Sequence, residues 1–272
     1  MNIYSTGWLH HKNAVGLELL KKEGLVVHSE YDRNFKYDQI HIFDRIQRFD
    51  EQECTHVYGP HFYHLQMPPY EFQSNEYINC LSEWNEKLTN TIRPEIRCTT
   101  LPFPVDVERF TPQDKVGKPI IYFKHRDPNI LNEVVNYFGD DFIVIKYGGY
   151  QENDYLENVS KAPYCIWVGS HESQGFAMQE AMSCDTPIFV VNVKSLRDEW
   201  GETIWRNFLP EHDLPATSAS YFDDKCGLIT CTESWKEDFE MFVSSLKSYS
   251  PREFVVNNLS ATACLEKWRK IL

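Results

Sequence analysis

Three short runs of apolar, β-branched and aromatic residues in the second half of the chain most constrain its fold. They are IIYF (120–123), YCIWV (164–168) and IFVV (188–191). None alternates polar with apolar residues, so each strand is expected to be covered on both faces. Between them lie helical patterns: a segment opened by Pro128 that carries Ile130, Leu131, Val134, Val135 and Phe138, a polar one over 151–161, and one over 175–183. Continuous apolar strands alternating with helices predict a parallel sheet with helices on both faces, an α/β fold.

The first hundred residues repeat the theme more weakly. Strands are expected at 2–5, 25–28, 38–43, 55–58 and 78–81. A helix between the first two carries Ala14, Leu17, Leu19 and Leu20, and another is capped by Ser82 and closed by Pro94. The stretch LPFPVDVERFTP (101–112) holds three prolines in twelve residues, which favours an extended connector. The reading is therefore two parallel α/β domains, residues 1–112 and 113–272, with ligands at the carboxyl ends of their strands. Two or three helices close the chain from about residue 234.

Charge and cysteine usage narrow the function. The 272 residues carry 27 Lys and Arg against 40 Asp and Glu, net −13. A sequence-independent nucleic-acid binder needs a basic face, and none is visible. The same acidity disfavours attachment to anionic membranes, and no apolar run is long enough to span one. The eight cysteines form no C-x-x-C pair, and several sit in apolar runs, so buried reduced thiols are expected. The first residues lack the charged start and apolar centre of a secretory signal, which points to the cytoplasm.

The segment GSHESQGFAMQEAMSCDTP (169–187) carries the chemistry. A buried strand ends, a polar loop with Gly175 follows, and a helix begins. The N-terminus of that helix is a natural anion site, suited to a phosphate or diphosphate. Glu172 lies in the loop and Glu180 within the helix. A carboxylate displaced from the phosphates can accept hydrogen bonds from sugar hydroxyls. On spacing alone, the two acids serve equally well as a capping acid and a solvated helix acid.

With Ser173, Gly175, Glu180-Ala-Met182 and Pro187, the spacing Glu172-x7-Glu180 resembles the donor-site motif of retaining glycosyltransferases with the GT-B fold. The connector around Phe103-Pro-Val-Asp106 and Phe110-x-Pro112 resembles that family's inter-domain segment, and INCLSEW (78–84) its last N-domain strand and helix start. Together these cover roughly residues 78–192. The resemblance implies two Rossmann-type domains around a cleft, a short N-terminal domain, and transfer of a hexose from a UDP- or GDP-linked sugar to a glycan, lipid or protein hydroxyl. Glu180 would hold the ribose and Glu172 the transferred hexose. Gly175, Phe176 and Ala177 would offer N–H groups to diphosphate and sugar. No cofactor is implied beyond the donor itself, and no D-x-D triplet for a metal is present. The diphosphate's charge would then fall to Lys124 and Arg126 in YFKHRDP (122–128), where the family usually has an Arg and, about five residues on, a Lys.

Histidine is skewed toward the first domain, with seven of ten by residue 64. His10 and His11 follow the first strand, and His61 and His64 follow the fourth. These are candidates for contact with the acceptor, against the alternatives of ordinary polar loops or, less favoured, a metal site.

Overall fold

The computed structural model describes residues 1–61, 70–199 and 214–271. The chain divides into two compact units, Met1–Asp106 with Asn258–Leu272, and Val107–Asn257. The division falls six residues before the expected position, and the last fifteen residues belong to the first unit.

In the first unit a six-stranded parallel sheet has the order β2-β1-β3-β4-β5-β6. Its strands are β1 (Asn2–Thr6), β2 (Val26–His28), β3 (Gln39–Ile42), β4 (Thr55–Tyr58), β5 (Glu76–Asn79) and β6 (Cys98–Thr99). β5 starts two residues before its expected position, and the two-residue β6 has no signal in the sequence pattern. Helix α1 (His11–Lys22) follows β1 and α2 (Glu83–Ile92) follows β5. Ser82 is the N-cap of α2 as expected, but its side chain makes no capping hydrogen bond.

Successive β3 residues face opposite ways. Ile40 and Ile42 join an aromatic core with Tyr4, Tyr37, Phe49 and Tyr58, against which Tyr31, Phe35 and Phe72 pack. No helix lies between β2 and β3 or between β3 and β4. Aromatic side chains of the connecting loops cover that face instead. Gln39 and His41 point to the other face. The His41 ring stacks on Trp268, with centroids 4.5 Å and planes 7° apart, and Gln39 Nε2 donates to the Trp268 carbonyl at 2.7 Å.

At the amino end of β5, the carboxylate of Glu76 is fully buried. It accepts from Arg48 Nε and Nη2 (both 3.0 Å), Tyr58 OH (2.7 Å), Tyr70 OH (2.9 Å) and the Gln73 N–H (2.7 Å). Burial alone would raise its pKa. The Arg48 guanidinium and the neutral donors outweigh burial and hold the group down at about 2.

The second unit carries a five-stranded parallel sheet, order β11-β10-β9-β7-β8. The strands are β7 (Ile120–Lys124), β8 (Ile143–Lys146), β9 (Cys165–Gly169), β10 (Ile188–Val191) and β11 (Gly227–Thr230). The helices are α3 (Pro128–Phe138), α4 (Glu152–Lys161), α5 (Phe176–Ser183) and α6 (Trp235–Ser244). Two further helices, α7 (Pro251–Leu259) and α8 (Ala261–Arg269), close the chain, and α8 packs in the first unit. As the continuous apolar runs require, β9 and β10 are buried throughout. On one face Ile121, Ile166, Val168, Phe189 and Val191 meet Leu131, Val134, Trp235 and Phe242. On the other, Tyr122 stacks on Trp167 with centroids 3.9 Å apart. All eight cysteines are free, five of them buried. Among the described residues no helix is long and apolar enough to cross a membrane.

Candidate active site

β7 is followed by β8 on one side and, two elements later, by β9 on the other. The loops leaving β7 and β9 therefore diverge, which makes the point between their carboxyl ends the place where an open α/β sheet accepts ligands. Lys124 ends β7 and stands in register with Gly169, which ends β9. The β9 loop returns Glu172 to Lys124, so the ammonium sits 2.9 and 2.8 Å from the two carboxylate oxygens. Both side chains are mostly buried, with 17% and 11% of their surface exposed. The Lys124 ammonium also lies 4.6 Å from the centre of the Tyr147 ring. Burial acts to lower the Lys124 pKa, but the Glu172 charge and hydrogen bonds prevail and raise it.

Gly175 makes the turn from this loop into α5. It is the N-cap residue with φ +89° and ψ 46°, the left-handed conformation that glycine adopts without penalty. Behind it, Phe176 and Ala177 start the helix, whose first N–H groups have no partner within the helix itself. Gln174 and Gln179 are buried and bond each other across the turn: Gln179 Nε2 donates to the Gln174 carbonyl at 2.6 Å, and Gln174 Nε2 to Gln179 Oε1 at 3.2 Å. Tyr155 OH from α4 donates to the Ala177 carbonyl at 2.5 Å, fixing the first turn. Ser173 is exposed.

The bland alternatives for the two acids do not fit. Glu172 is not the cap of α5, because Gly175 occupies that position. Glu180 is not a solvated helix acid, because it is only 4% exposed. Both carboxylates are buried: Glu172 in the loop ahead of α5, where Lys124 meets its charge, and Glu180 within the helix.

Arg126 behaves differently from Lys124. Its residue is 2% exposed. Nη1 donates to the carbonyls of Gly169 (3.1 Å) and Val191 (3.2 Å), and Nη2 to Thr232 Oγ1 (3.1 Å). The guanidinium thus ties together the carboxyl ends of β9 and β10. Burial lowers its pKa.

Two further groups at this end of the sheet carry no motif in the sequence. Thr217, Ser218 and Ser220 lie against the β9 loop. The Glu172 N–H donates to the Thr217 carbonyl (3.1 Å), Ser218 Oγ to the Gly169 carbonyl (3.0 Å), and Ser220 Oγ to the Glu172 carbonyl. His171, immediately before Glu172, pairs through Nδ1 with the buried Glu199 carboxylate. Only its adjacency to Glu172 could have drawn attention to it.

In the first unit the structure gathers three of the four predicted histidines. His61 Nε2 accepts the His10 N–H at 3.2 Å. His10 Nδ1 accepts the Lys12 N–H at 3.4 Å and caps α1. The His10 and His11 rings are 4.3 Å apart. Burial, assisted by neighbouring His10, lowers the His61 pKa to about 4. His64 lies outside the described residues. Among the described residues no group of His, Cys, Asp and Glu is placed to hold a metal ion.

No protein-family profile matches the chain, and no curated protein matches it in sequence. Solved structures do match. A sucrose-phosphate synthase from Thermosynechococcus elongatus superposes over 99% of this chain and 98% of its own, with a TM-score of 0.56 at 11% identity. The apo form of the lipopolysaccharide outer core galactosyltransferase WaaB covers 100% and 99%, with a TM-score of 0.56 at 10% identity. TarM matches over 86% of this chain and 54% of its own, with a TM-score of 0.50 at 12% identity. The two parallel-sheet α/β units thus have the GT-B fold, as the sequence predicts.

Proposed function

We propose that the protein is a glycosyltransferase that moves a hexose from a nucleotide-diphosphate sugar to an acceptor hydroxyl, with retention of configuration and without a metal ion. The observation that carries the reading is the bidentate Lys124–Glu172 pair beside the left-handed turn at Gly175, at the switch point of a sheet in a GT-B fold. The pair brings one cation and one hydroxyl-binding carboxylate to the carboxyl end of the sheet. A diphosphate laid against the first turn of α5 meets backbone N–H groups and the positive end of the helix dipole. Lys124 then passes from Glu172 to the phosphates as negative charge builds on the departing nucleotide, and Glu172 is released to the sugar hydroxyls. Groups aimed at charge that develops during the reaction contribute most to rate.

In this reading Glu180 receives the ribose hydroxyls, and Phe176 and Ala177 offer their N–H groups. Ser173 is exposed at the loop's surface and meets the donor from solvent. Arg126 keeps the strand ends in place and adds positive charge behind the phosphates. His10, His11 and His61 of the first unit are assigned to the acceptor. The eight free thiols suit a reducing compartment such as the cytoplasm.

The test is incubation with a panel of UDP- and GDP-sugars in the presence of EDTA, following nucleotide release. Slow hydrolysis of one donor, accelerated by an acceptor that gains a sugar of the donor's anomeric configuration, is the expected result. A new sugar nucleotide would identify an epimerase, binding without turnover a non-catalytic module, and activity abolished by EDTA a metal-dependent transferase.

A further inference from the structure

The sheet of the first unit has a switch point of its own. β1 is flanked by β2 and β3, reached from opposite sides, so the loops after β1 and β3 diverge at their carboxyl ends. Gly7 leaves β1 with φ +96° and passes over Asp44, which follows β3. A Cβ at residue 7 would stand 2.4 Å from Asp44 Oδ1. Asp44 Oδ2 accepts the Trp8 N–H at 2.8 Å, and its Oδ1 accepts from Arg45 Nη1 at 2.8 Å. This fixed turn holds Trp8 outward, with 61% of the residue exposed. Its indole is bordered edge-on by His61, with centroids 5.0 Å apart, and by His10 at 6.4 Å. His11 continues the row beside His10.

An indole held in water by a rigid turn costs free energy that burial elsewhere in the core would recover. Such a ring at a ligand-binding end of a sheet is suited to stacking, because Trp gives a large flat contact with little rotamer entropy to lose. The border defines what stacks there. His61 is neutral around pH 7, since burial holds its pKa at about 4. The Arg45 charge is met by Asp44. The plate is therefore edged by imidazole nitrogens and a neutralised ion pair, a match for a ring with an apolar face and hydroxyls around its rim.

We propose that Trp8 is the stacking platform for a neutral pyranose ring, with His10, His11 and His61 at its hydroxyl edge, and that the acceptor is accordingly a neutral saccharide. The role as acceptor rests on the transferase reading above, whereas the binding of the ring does not.

The experiment is saturation-transfer NMR on the full chain with neutral disaccharides, phosphorylated hexoses and UMP. It is repeated on Trp8→Ala and Trp8→Phe, with thermal melts to confirm that an exposed substitution leaves the fold intact. Neutral saccharides should bind through their ring C–H protons. Affinity should fall about tenfold or more in Trp8→Ala, the scale of losing one aromatic stacking partner, and be largely kept in Trp8→Phe. Equal saccharide binding by Trp8→Ala and the parent, no saccharide binding at all, or binding of the phosphorylated hexoses alone would overturn the proposal. Trp8-dependent saccharide binding in a protein that turns over no nucleotide sugar would overturn the transferase reading and leave the saccharide site standing. Where a donor is turned over, transfer to a neutral saccharide should fall in Trp8→Ala and be largely kept in Trp8→Phe.

Discussion

Lys124 and Glu172 are 48 residues apart in the chain, yet one ammonium bonds both oxygens of one carboxylate. The contact exists because β9 pairs with β7, which puts the ends of the two strands side by side. Removing either partner leaves a mostly buried charge without its main counterion.

Lys124→Met should therefore destabilise the fold, and adding Glu172→Leu should recover part of that loss. A double-mutant cycle by urea unfolding is expected to give a coupling of about 1–3 kcal/mol. In the transferase reading, Lys124→Met should also lower turnover of the sugar nucleotide about 10²–10³-fold, with a smaller change in nucleotide affinity. Full turnover would assign the diphosphate's charge to another group.

Glu180→Ala separates the two acids. It should weaken free UDP or GDP by about 1.5–3 kcal/mol, the value of hydrogen bonds to a charged group, whereas Glu172→Gln should leave free nucleotide binding intact and reduce turnover. Calorimetric titration of both variants decides this. Unchanged nucleotide affinity in Glu180→Ala would remove it from the ribose.

Gly175 tests the turn itself. A Cβ there would stand 3.4 Å from Glu172 Cβ, an ordinary contact, so space is not the obstacle. The obstacle is the φ of +89°, which costs an alanine about 1–2 kcal/mol. Asparagine tolerates this region, so Gly175→Asn should be more stable than Gly175→Ala in thermal melts. An alanine variant as stable as the parent would show that the loop relaxes out of the left-handed turn.

His41 gives a pH signature. Burial pushes its pKa down to about 3. Between that value and about 6.5 the unfolded chain binds a proton that the folded chain does not, so stability falls as pH falls. From pH 7.5 to 5 this one group should cost about 2 kcal/mol, at 1.36 kcal/mol per pH unit below 6.5. His41→Phe retains a ring against Trp268 and cannot titrate, so its stability should fall less over the same range by about that amount. His56 and His61, also held low by burial, remain in both proteins and cancel. Parallel urea midpoints for parent and variant across this range would contradict a neutral, buried His41.

The sequence by itself determined the parallel α/β class, most strand positions and the start of α5 at Gly175. These are local properties: a continuous apolar run, a proline at a helix start and a glycine before a helix are each read within a few residues. Only the tertiary structure decided which charges meet. Lys124 and Arg126 are two residues apart, but one reaches Glu172 and the other ties the ends of β9 and β10, because they leave the strand end toward different neighbours. The Glu199 partner of His171, the aromatic loops that replace helices over one face of the first sheet, and the inclusion of α8 in the first unit were likewise invisible. Each depends on contacts between segments far apart in the chain. Hydrophobic periodicity records that a side chain is buried, and the order of the strands fixes what it is buried against.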